Sequence, residues 1–570
     1  MAKIYPNHDV HLVASLQDMI LQSAARFTNL PALQDLASTP IGSLTYTELL
    51  EHVLMFGSAL RKLGLKERTT IAVISENRVQ WTLSYLTAMA FNHIIVPIDK
   101  NLPQSEIFNI IHESDAEVII YSDGFRSMMS EAKLVLKRLK IFISMDLSES
   151  SDGVLSMPEL IRQAVPITKT ELPKIELDEP AEIIFTSGSL GRAKGVMLTQ
   201  RNLAANLVGM RQSFTIYTTD KFLSILPIHH TYECTCGQLC PIYSGASVWY
   251  SRSLKTIVED MTKVQPTMVL GVPLIFEKMF RKIYKTIQAD KVKSVVIKPM
   301  IHITDFLSLI GWKNSKKLIF KELHKNFGGN IRAFIVGGAA PDPSVAKGLR
   351  EFGFNFIQGY GLTETAPIIA LNRLEAFKDT AAGIPLPNVQ IKIVEPDENG
   401  VGEIIAKGDN VMLGYYKNKS LTDSVILDGW FYTGDLGMFD EDGFLHISGR
   451  KKNVIITKNG KNVFPEEIED ILHLNTFIKE VLVYAEKSDK VEDYVIAAQI
   501  VPDHETFIEL SEKNNVPITP EFIRSTIDDA IKLANKSLPI YKQIRKFNIR
   551  ENEFEKTTTQ KIKRYLIQQP

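Results

Sequence analysis

Four times along this chain a short apolar run stops abruptly at a polar or glycine-rich loop: Ala181 to Phe185, Phe222 to Leu226, Arg332 to Val336 and Asn355 to Ile357. Runs this short suit strands and not helices, and each following loop sits where a strand leaves its sheet. Between them, Asn202 to Met210 and Ser344 to Phe352 carry apolar residues at three-to-four spacing, the period of an amphipathic helix. Strands alternating with helices predict an α/β fold in which strand ends deliver their loops to a shared ligand crevice.

At 570 residues the chain exceeds what one hydrophobic core serves, so at least two domains are expected. Apolar residues at 45% and charged residues at 23% describe a folded globular protein and exclude a disordered one. With 65 Lys and Arg against 66 Asp and Glu, the formal charge of −1 provides no global field for nucleic acid, and none is expected as a partner. The N-terminus, MAKIYPNHDVHLVASL, lacks the apolar run of a secretory signal. No segment offers the roughly 18 apolar residues of a spanning helix, so a cytoplasmic protein is expected. Three cysteines cannot build a disulfide framework. Cys234, Cys236 and Cys240 lie near His229 and His230, but the C-x-C-x3-C spacing lacks the paired C-x2-C of zinc sites; buried structural thiols are the expectation.

Near residue 450 the strand-like Gly443 to Ile447 ends in Ser448-Gly449-Arg450-Lys451-Lys452, which places a hinge between a domain of residues 1–449 and a smaller one of residues 450–570. Residues 278–326 carry twelve Lys or Arg against Asp290, Asp305 and Glu322, a local net of +9, together with Phe306, Leu307, Leu309, Ile310 and Trp312. Apolar residues bordered by lysines suit peripheral contact with an anionic membrane surface. A solvated helical excursion accounts for the same residues equally well.

The densest chemical signal is Phe185-Thr186-Ser187-Gly188-Ser189-Leu190-Gly191-Arg192-Ala193-Lys194-Gly195. Glycines let backbone N–H groups approach phosphate oxygens, hydroxyls add donors, and Lys194 adds positive charge, so the loop suits a polyphosphate. It is not a Walker A sequence, because the G-x4-G-K-[ST] spacing is missing. It resembles the phosphate-binding signature of the adenylate-forming superfamily, which includes acyl-CoA synthetases, luciferases and nonribosomal adenylation domains. Leu190 stands in place of a Thr and Ala193 in place of a Pro.

Further segments resemble that superfamily in its own order, from about residue 10 to the end and including Val96-Pro97-Ile98-Asp99. Leu226-Pro227-Ile228-His229-His230-Thr231-Tyr232-Glu233 resembles the LPxxHxxE segment of long-chain acyl-CoA synthetases, which implies that His230 lies beside the acyl carboxylate. Val336-Gly337-Gly338-Ala339-Ala340-Pro341 resembles the adenine floor, and implies nucleotide contact at Gly338 and Ala339. Gln358-Gly359-Tyr360-Gly361-Leu362-Thr363-Glu364-Thr365 resembles the YGxTE signature. It implies that Tyr360 stacks on adenine, Thr363 contacts the α-phosphate and Glu364, with Thr186, holds magnesium, while Gln358, Gly359 and Gly361 line the nucleotide. Tyr432-Thr433-Gly434-Asp435 implies ribose binding by Asp435, assisted by Arg450.

Glu555-Lys556-Thr557-Thr558-Thr559-Gln560-Lys561-Ile562-Lys563-Arg564 resembles PKTxxGKIxR, and implies that Lys561 is the catalytic lysine. The family's Pro and Gly are Glu555 and Gln560 here. By the same resemblance Thr186, Ser187, Gly188, Ser189, Gly191 and Lys194 cradle the phosphates, Lys452 is the hinge, and Lys458 and Gly460 meet coenzyme A.

The resemblance implies a large N-terminal domain of two α/β sheet subdomains plus a small β-barrel-like subdomain, followed by a small mobile α+β domain. It also implies a ligase using ATP, Mg2+ and coenzyme A as co-substrate: fatty acid, ATP and CoA give acyl-CoA, AMP and pyrophosphate through an acyl-adenylate. The LPxxHxxE form, the segment Val272-Pro273-Leu274-Ile275-Phe276-Glu277-Lys278 and the basic insertion after it resemble the long-chain branch. A fatty acyl-AMP ligase, an acyl–acyl carrier protein synthetase, and a non-catalytic nucleotide-binding or membrane-docking homologue are the alternatives.

Overall fold

The structure, a computed structural model, describes residues 5–186, 194–253, 255–289, 291–312, 314–457, 461–487, 494–514, 516–556 and 562–566. The chain divides into two compact units. One comprises Met1–Ile391, Ala406–Phe431 and Glu441–Leu445; the other comprises Lys392–Ile405, Tyr432–Asp440 and His446–Pro570. The second unit thus includes segments that precede residue 450.

The first unit is built on two large mixed sheets. The nine-stranded sheet runs in the spatial order Ile384–Pro385, Ile368–Leu371, Asn355–Gly361, Ala333–Val336, Met268–Gly271, Lys221–Ser224, Ser247–Tyr250, Pro31–Asp35, Ser43–Thr45. Its inner strands, from Asn355–Gly361 to Pro31–Asp35, are parallel, and its outer strands are antiparallel. The eight-stranded sheet runs Gly414–Tyr415, Lys194–Thr199, Pro180–Thr186, Ile94–Pro97, Thr70–Ile74, Val118–Tyr121, Ile141–Ser144, Leu155–Ser156.

The predicted runs at 181–185 and 332–336 match strands to within a residue at each end. The run at 222–226 leaves the sheet at Ser224, because the Leu226 carbonyl turns to the Asn77 side chain, 2.6 Å away, and Pro227 has no N–H for a ladder. The run at 355–357 continues to Gly361, because the strand passes from parallel pairing with Ala333–Val336 to antiparallel pairing with Ile368–Leu371. The helices between strands start at side-chain caps. Thr199 and Asn202 form a reciprocal box at the start of Gln200–Ser213, and Asp342 accepts from the Ser344 N–H ahead of Pro343.

The helix Val79–Ala90 is buried at every residue and packs against strands of both large sheets. A helix so placed has no solvent side, so its polar groups need partners within the protein. The Thr82 hydroxyl lies 2.6 Å from the Tyr250 hydroxyl in one sheet, and the Tyr85 hydroxyl donates to Glu182 Oε2 at 3.1 Å in the other. Trp81 stacks on Tyr85 with ring centroids 5.5 Å apart. Each large apolar side chain of this helix contributes about 2 kcal/mol by burial.

A third sheet has five strands: Gln390–Val394, Gly402–Lys407, Trp430–Phe439 and Ile426–Leu427 in an open path, with Leu445–Arg450 paired to Trp430–Phe439. The resemblance implies a barrel-like subdomain within the N-terminal domain; this sheet is open, and most of it belongs to the second unit. The second unit also holds a three-stranded sheet of Ile478–Lys487, Tyr494–Pro502 and Lys546–Ile549. The helices Pro465–His473 and Pro520–Ser537 pack on it around Ile468, Val481, Ile500 and Ile527, an α+β arrangement. The basic stretch is helical, as Pro273–Ala289, Lys291–Leu309, Ser315–Ile319 and Lys321–Lys325. Among the described residues no helix is long and apolar enough to cross a membrane.

Two buried acids make stability pH-dependent. Burial pushes the Glu182 carboxyl from its ordinary 4.5 up to about 8, and the Glu233 carboxyl up to about 7. Between about 4.5 and those values the folded protein holds protons that the unfolded chain has released. Stability therefore falls as pH rises through the window, by about 1.4 kcal/mol per unit of displacement, and levels off above it. The melting temperature is expected to drop between about pH 5.5 and pH 8.5. Glu182→Gln should flatten that slope; an unchanged slope would mean that Glu182 is ionised in the folded protein.

Candidate active site

The phosphate-loop signature lies on a hairpin. Pro180–Thr186 pairs antiparallel with Lys194–Thr199, and this register sets Thr186 directly opposite Lys194. Ser187, Gly188, Ser189 and Gly191 lie outside the described residues. The pairing brings Thr186 and Lys194 together: the Thr186 hydroxyl is 3.5 Å from the Lys194 carbonyl oxygen. The short strand Gly414–Tyr415 pairs with Lys194–Thr199 on its other side, setting Tyr415 opposite Val196. Lys194 Nζ lies 5.2 Å from the centre of the Tyr415 ring, within cation–π range. The Tyr415 hydroxyl in turn donates to Glu364 Oε1 at 2.9 Å, and the Met412 N–H donates to the Glu364 carbonyl at 2.8 Å. One tyrosine therefore links the lysine of the first motif to the carboxylate of another, far along the chain.

Glu364 sits on the tight turn Thr363–Thr365, held from behind by two buried asparagines. Asn206 Nδ2 donates to the Ile368 carbonyl at 2.6 Å and the Thr365 carbonyl at 3.4 Å. Asn410 Nδ2 reaches the same two oxygens at 3.2 and 2.9 Å. Just ahead of the turn, a Cβ on Gly361 would lie 1.9 Å from the Pro367 carbonyl oxygen, so only glycine fits there.

Gln358, Gly359, Tyr360 and Gly361 lie on the strand Asn355–Gly361, where Gln358 pairs with Val336. Past Val336, a Cβ on Gly337 would meet the Tyr232 ring at 2.9 Å, and Gly338 adopts φ of +85°, a left-handed conformation that favours glycine. Gly338 and Ala339 are exposed. Tyr232 is pinned by its hydroxyl, which donates to the Ile335 carbonyl at 3.0 Å, and its N–H donates to His230 Nδ1 at 3.2 Å. Nδ1 is thus an acceptor, which puts the proton of the neutral imidazole on Nε2. His229 lies 3.6 Å from Asp99, and burial lowers its basicity despite that carboxylate.

Asn77 holds the histidine loop from the second large sheet: Nδ2 donates to Ser224 Oγ at 2.9 Å and to the Leu226 carbonyl, and Oδ1 accepts from the Ile228 N–H at 3.2 Å. His230, Gly338, Ala339, and the segment running to Glu364 all follow the carboxyl ends of strands in one sheet, the edge where α/β proteins bind ligands.

In the second unit, Arg450 Nε pairs with Asp435 Oδ1 at 2.8 Å, and Nη1 donates to the Thr433 carbonyl at 3.2 Å. The Asp435 N–H donates to Thr433 Oγ1 at 3.0 Å, and Gly434 has φ of +70°. Asp435 and Arg450, fifteen positions apart, are therefore neighbours across paired strands. Lys452 is exposed on the short turn Lys451–Asn453. Lys458, Gly460 and Lys561 lie outside the described residues. On either side of Lys561, Lys556 pairs antiparallel with Ile562 and forms an ion pair with Glu480, and Arg564 forms one with Glu469.

Tyr415, Asn77, Asn206 and Asn410 were not foreseeable as site residues. Each is a common residue type with no motif around it, and its importance arises from partners distant in sequence. Cys234, Cys236 and Cys240 are buried; burial pushes the Cys240 thiol to about 12 and the other two well above their ordinary value, so none is a ready nucleophile.

Residues 20–416 match the model of the AMP-binding enzyme family. The chain belongs to that family. A long-chain-fatty-acid–CoA ligase of Mycobacterium bovis is 27% identical over 92% of this chain and 90% of its own. A chloroplastic long-chain-fatty-acid–[acyl-carrier-protein] ligase of Arabidopsis thaliana is 28% identical over 86% of this chain and 76% of its own. Among solved structures, o-succinylbenzoate coenzyme A synthetase from Bacillus subtilis in complex with ATP and magnesium ion has the same fold. Its TM-score is 0.72 and its identity 22%, over 96% of this chain and 98% of that one.

The geometry of this AMP-binding enzyme suits a polyphosphate with a hard cation. Lys194 offers positive charge, while the Thr186 hydroxyl and the Glu364 carboxylate offer the oxygen ligands that magnesium prefers. The Tyr415 hydroxyl, donating to Oε1, orients the Glu364 carboxylate. Tyr415→Phe keeps the ring under Lys194 and removes the donor to Glu364. It should change stability by about 1 kcal/mol or less. The magnesium concentration for half-maximal ATP–pyrophosphate exchange should rise about tenfold. An unaltered magnesium dependence would show that Tyr415 does not orient the carboxylate.

Proposed function

We propose that this adenylate-forming enzyme is a long-chain fatty acid–CoA ligase. The observation that carries the reading is the linkage of Lys194 to Glu364 through Tyr415, with Glu364 and the His230 loop both following carboxyl ends of strands in the nine-stranded sheet. A phosphate-handling centre beside an LPxxHxxE loop is what activation of a fatty carboxylate requires. The names of the relatives support the same substrate class.

In the first half-reaction an oxygen of the fatty carboxylate attacks the α-phosphorus of ATP, and pyrophosphate leaves. Lys194 and the hydroxyls of Thr186, Ser187 and Ser189 hold the phosphates, with backbone N–H groups of Gly188 and Gly191. Thr363 contacts the α-phosphate, His230 donates from Nε2 toward the carboxylate, and Lys561 offsets charge gathering between the two reactants. Glu364 and Thr186 would hold magnesium, which would supply neutralisation of the phosphate oxygens. Adenine lies between Tyr360 and the Gly338–Ala339 floor, beside Gln358, Gly359 and Gly361; the ribose hydroxyls donate to Asp435, which Arg450 orients. No protein nucleophile takes part, so the rate comes from positioning and electrostatics.

In the second half-reaction the thiol of coenzyme A attacks the acyl carbonyl and AMP leaves. The segment 450–570 pivots at Lys452 between the two steps, withdrawing Lys561 and bringing in Lys458 and Gly460. A second reading, transfer to an acyl carrier protein, is favoured by the chloroplastic relative.

Lys561→Ala should lower pyrophosphate exchange by about a hundredfold or more while sparing thioester formation from supplied acyl-AMP. Undiminished exchange would remove Lys561 from the adenylation step. With radiolabelled palmitate, ATP, magnesium and coenzyme A, palmitoyl-CoA should form far faster than the thioester of a short acid. Preference for the short acid would overturn the long-chain assignment, and acylation of carrier protein without coenzyme A turnover would favour the second reading.

A further inference from the structure

Apart from the strand-end edge, the first unit carries a helix whose outward face is largely apolar, interrupted by the exposed Lys298 and His302. Lys291–Leu309 turns Ile301 and Thr304 inward, where both are buried, and Ile297 and Met300 also pack on the core. Its other side presents Val295, Ile303, Phe306 and Leu309, followed by Ile310 and Trp312 on the turn beyond. Leu309 is 85% exposed, Phe306 62% and Trp312 52%. Val295, Phe306 and Leu309 fall on one stripe at the 3.6-residue period, flanked by Ile303 and Ile310. The helix therefore faces outward with the residues that ordinarily face a core.

Charge surrounds this stripe. The stretch 278–326 sums to +9 in a chain whose total is −1, so everything outside it sums to −10. Exposed lysines lie on the neighbouring elements as well: Lys278, Lys282 and Lys285 at helical spacing on Pro273–Ala289, and Lys317, Lys321 and Lys325 beyond Trp312. Lys298 is exposed on the apolar helix itself.

We propose that this face docks on an anionic lipid membrane. Charge complementarity selects the occupant: the stretch that carries this exposed apolar stripe is net positive, while the remainder of the chain is net negative and would be repelled by the same surface. Lysines are depleted in the cores of protein–protein interfaces, whereas around a bilayer their stems lie along the acyl boundary and their heads reach phosphates. A tryptophan at the end of the apolar helix suits the headgroup level. Docking would set the ligase where a water-insoluble carboxylate partitions. The proposal is independent of the ligase reading, and either can fail alone.

The test is flotation of the full chain with vesicles of phosphatidylcholine alone or mixed equally with phosphatidylglycerol. Binding is expected to the mixed vesicles, weakening at least about tenfold between about 0.05 M and about 0.5 M salt. It should also weaken about tenfold in Lys317→Glu/Lys321→Glu. Phe306→Ser/Leu309→Ser/Trp312→Ser, all at exposed positions, should abolish flotation yet leave pyrophosphate exchange with a soluble acid unchanged. Vesicles should blue-shift tryptophan emission, and Trp312→Phe should remove that shift. Absence of binding to mixed vesicles at low salt, or flotation of the triple variant like the parent, overturns the proposal. A dimer that the triple variant dissociates, without vesicle binding, would assign the face to a second copy of the chain instead.

Discussion

The helix Val79–Ala90 is the constraint on which the first unit depends. Buried on every side, it is the common wall of two large sheets, and it ties one through Thr82 and Tyr250 and the other through Tyr85 and Glu182. Hydrophobic contact alone would let the sheets slide. Buried hydrogen bonds are directional, and losing one partner leaves a desolvated polar group costing about 1–3 kcal/mol. The same layer continues into Gln238, whose Oε1 accepts from Tyr250 and whose Nε2 donates to Ser224 and Glu233. Ser224 ends the strand that leads to the histidine loop. Sheet packing and loop placement are therefore one hydrogen-bonded problem.

With the sheets held in register, loops from separate strand ends meet. Asn77, from the eight-stranded sheet, clamps the backbone of the His230 loop of the other sheet. Tyr415, on the edge of the eight-stranded sheet, reaches Glu364 beyond the end of the nine-stranded one. Asn206 and Asn410 fix the turn behind that glutamate through the carbonyl oxygens of Thr365 and Ile368. The groups suited to phosphate and metal thus rest on rigid backbone, the condition under which electrostatic catalysis needs little rearrangement in the transition state.

The basic insertion shows the opposite use of the same residue types. Apolar side chains in Val79–Ala90 face protein in every direction, whereas those of Lys291–Leu309 face protein on one side only. The apolar residues alone do not separate the two cases, because Val, Leu and Met occur in both helices. Exposure does: Phe306, Leu309 and Trp312 are more than half exposed, whereas Trp81 and Tyr85 are buried.

Much of the architecture was readable because its signals are local. Strand runs at 181–185 and 332–336 and helical spacing at 202–210 and 344–352 follow from short-range periodicity, and the glycine at 361 is required by the Pro367 backbone six residues on. The ordered motifs likewise identified the family, since each packs its chemistry into a few adjacent positions. The fully buried helix had no such signal: its Gln, Thr and Ser residues break any amphipathic pattern, and only a second sheet makes an all-round buried helix stable. Tyr415 and the three asparagines were equally silent, for each acts on backbone or side chains brought near by tertiary packing. By itself, the sequence determined the family and the short segments in which its chemically distinctive residues lie. The tertiary structure alone decided what orients them, because orientation depends on hydrogen bonds between residues that the chain keeps far apart.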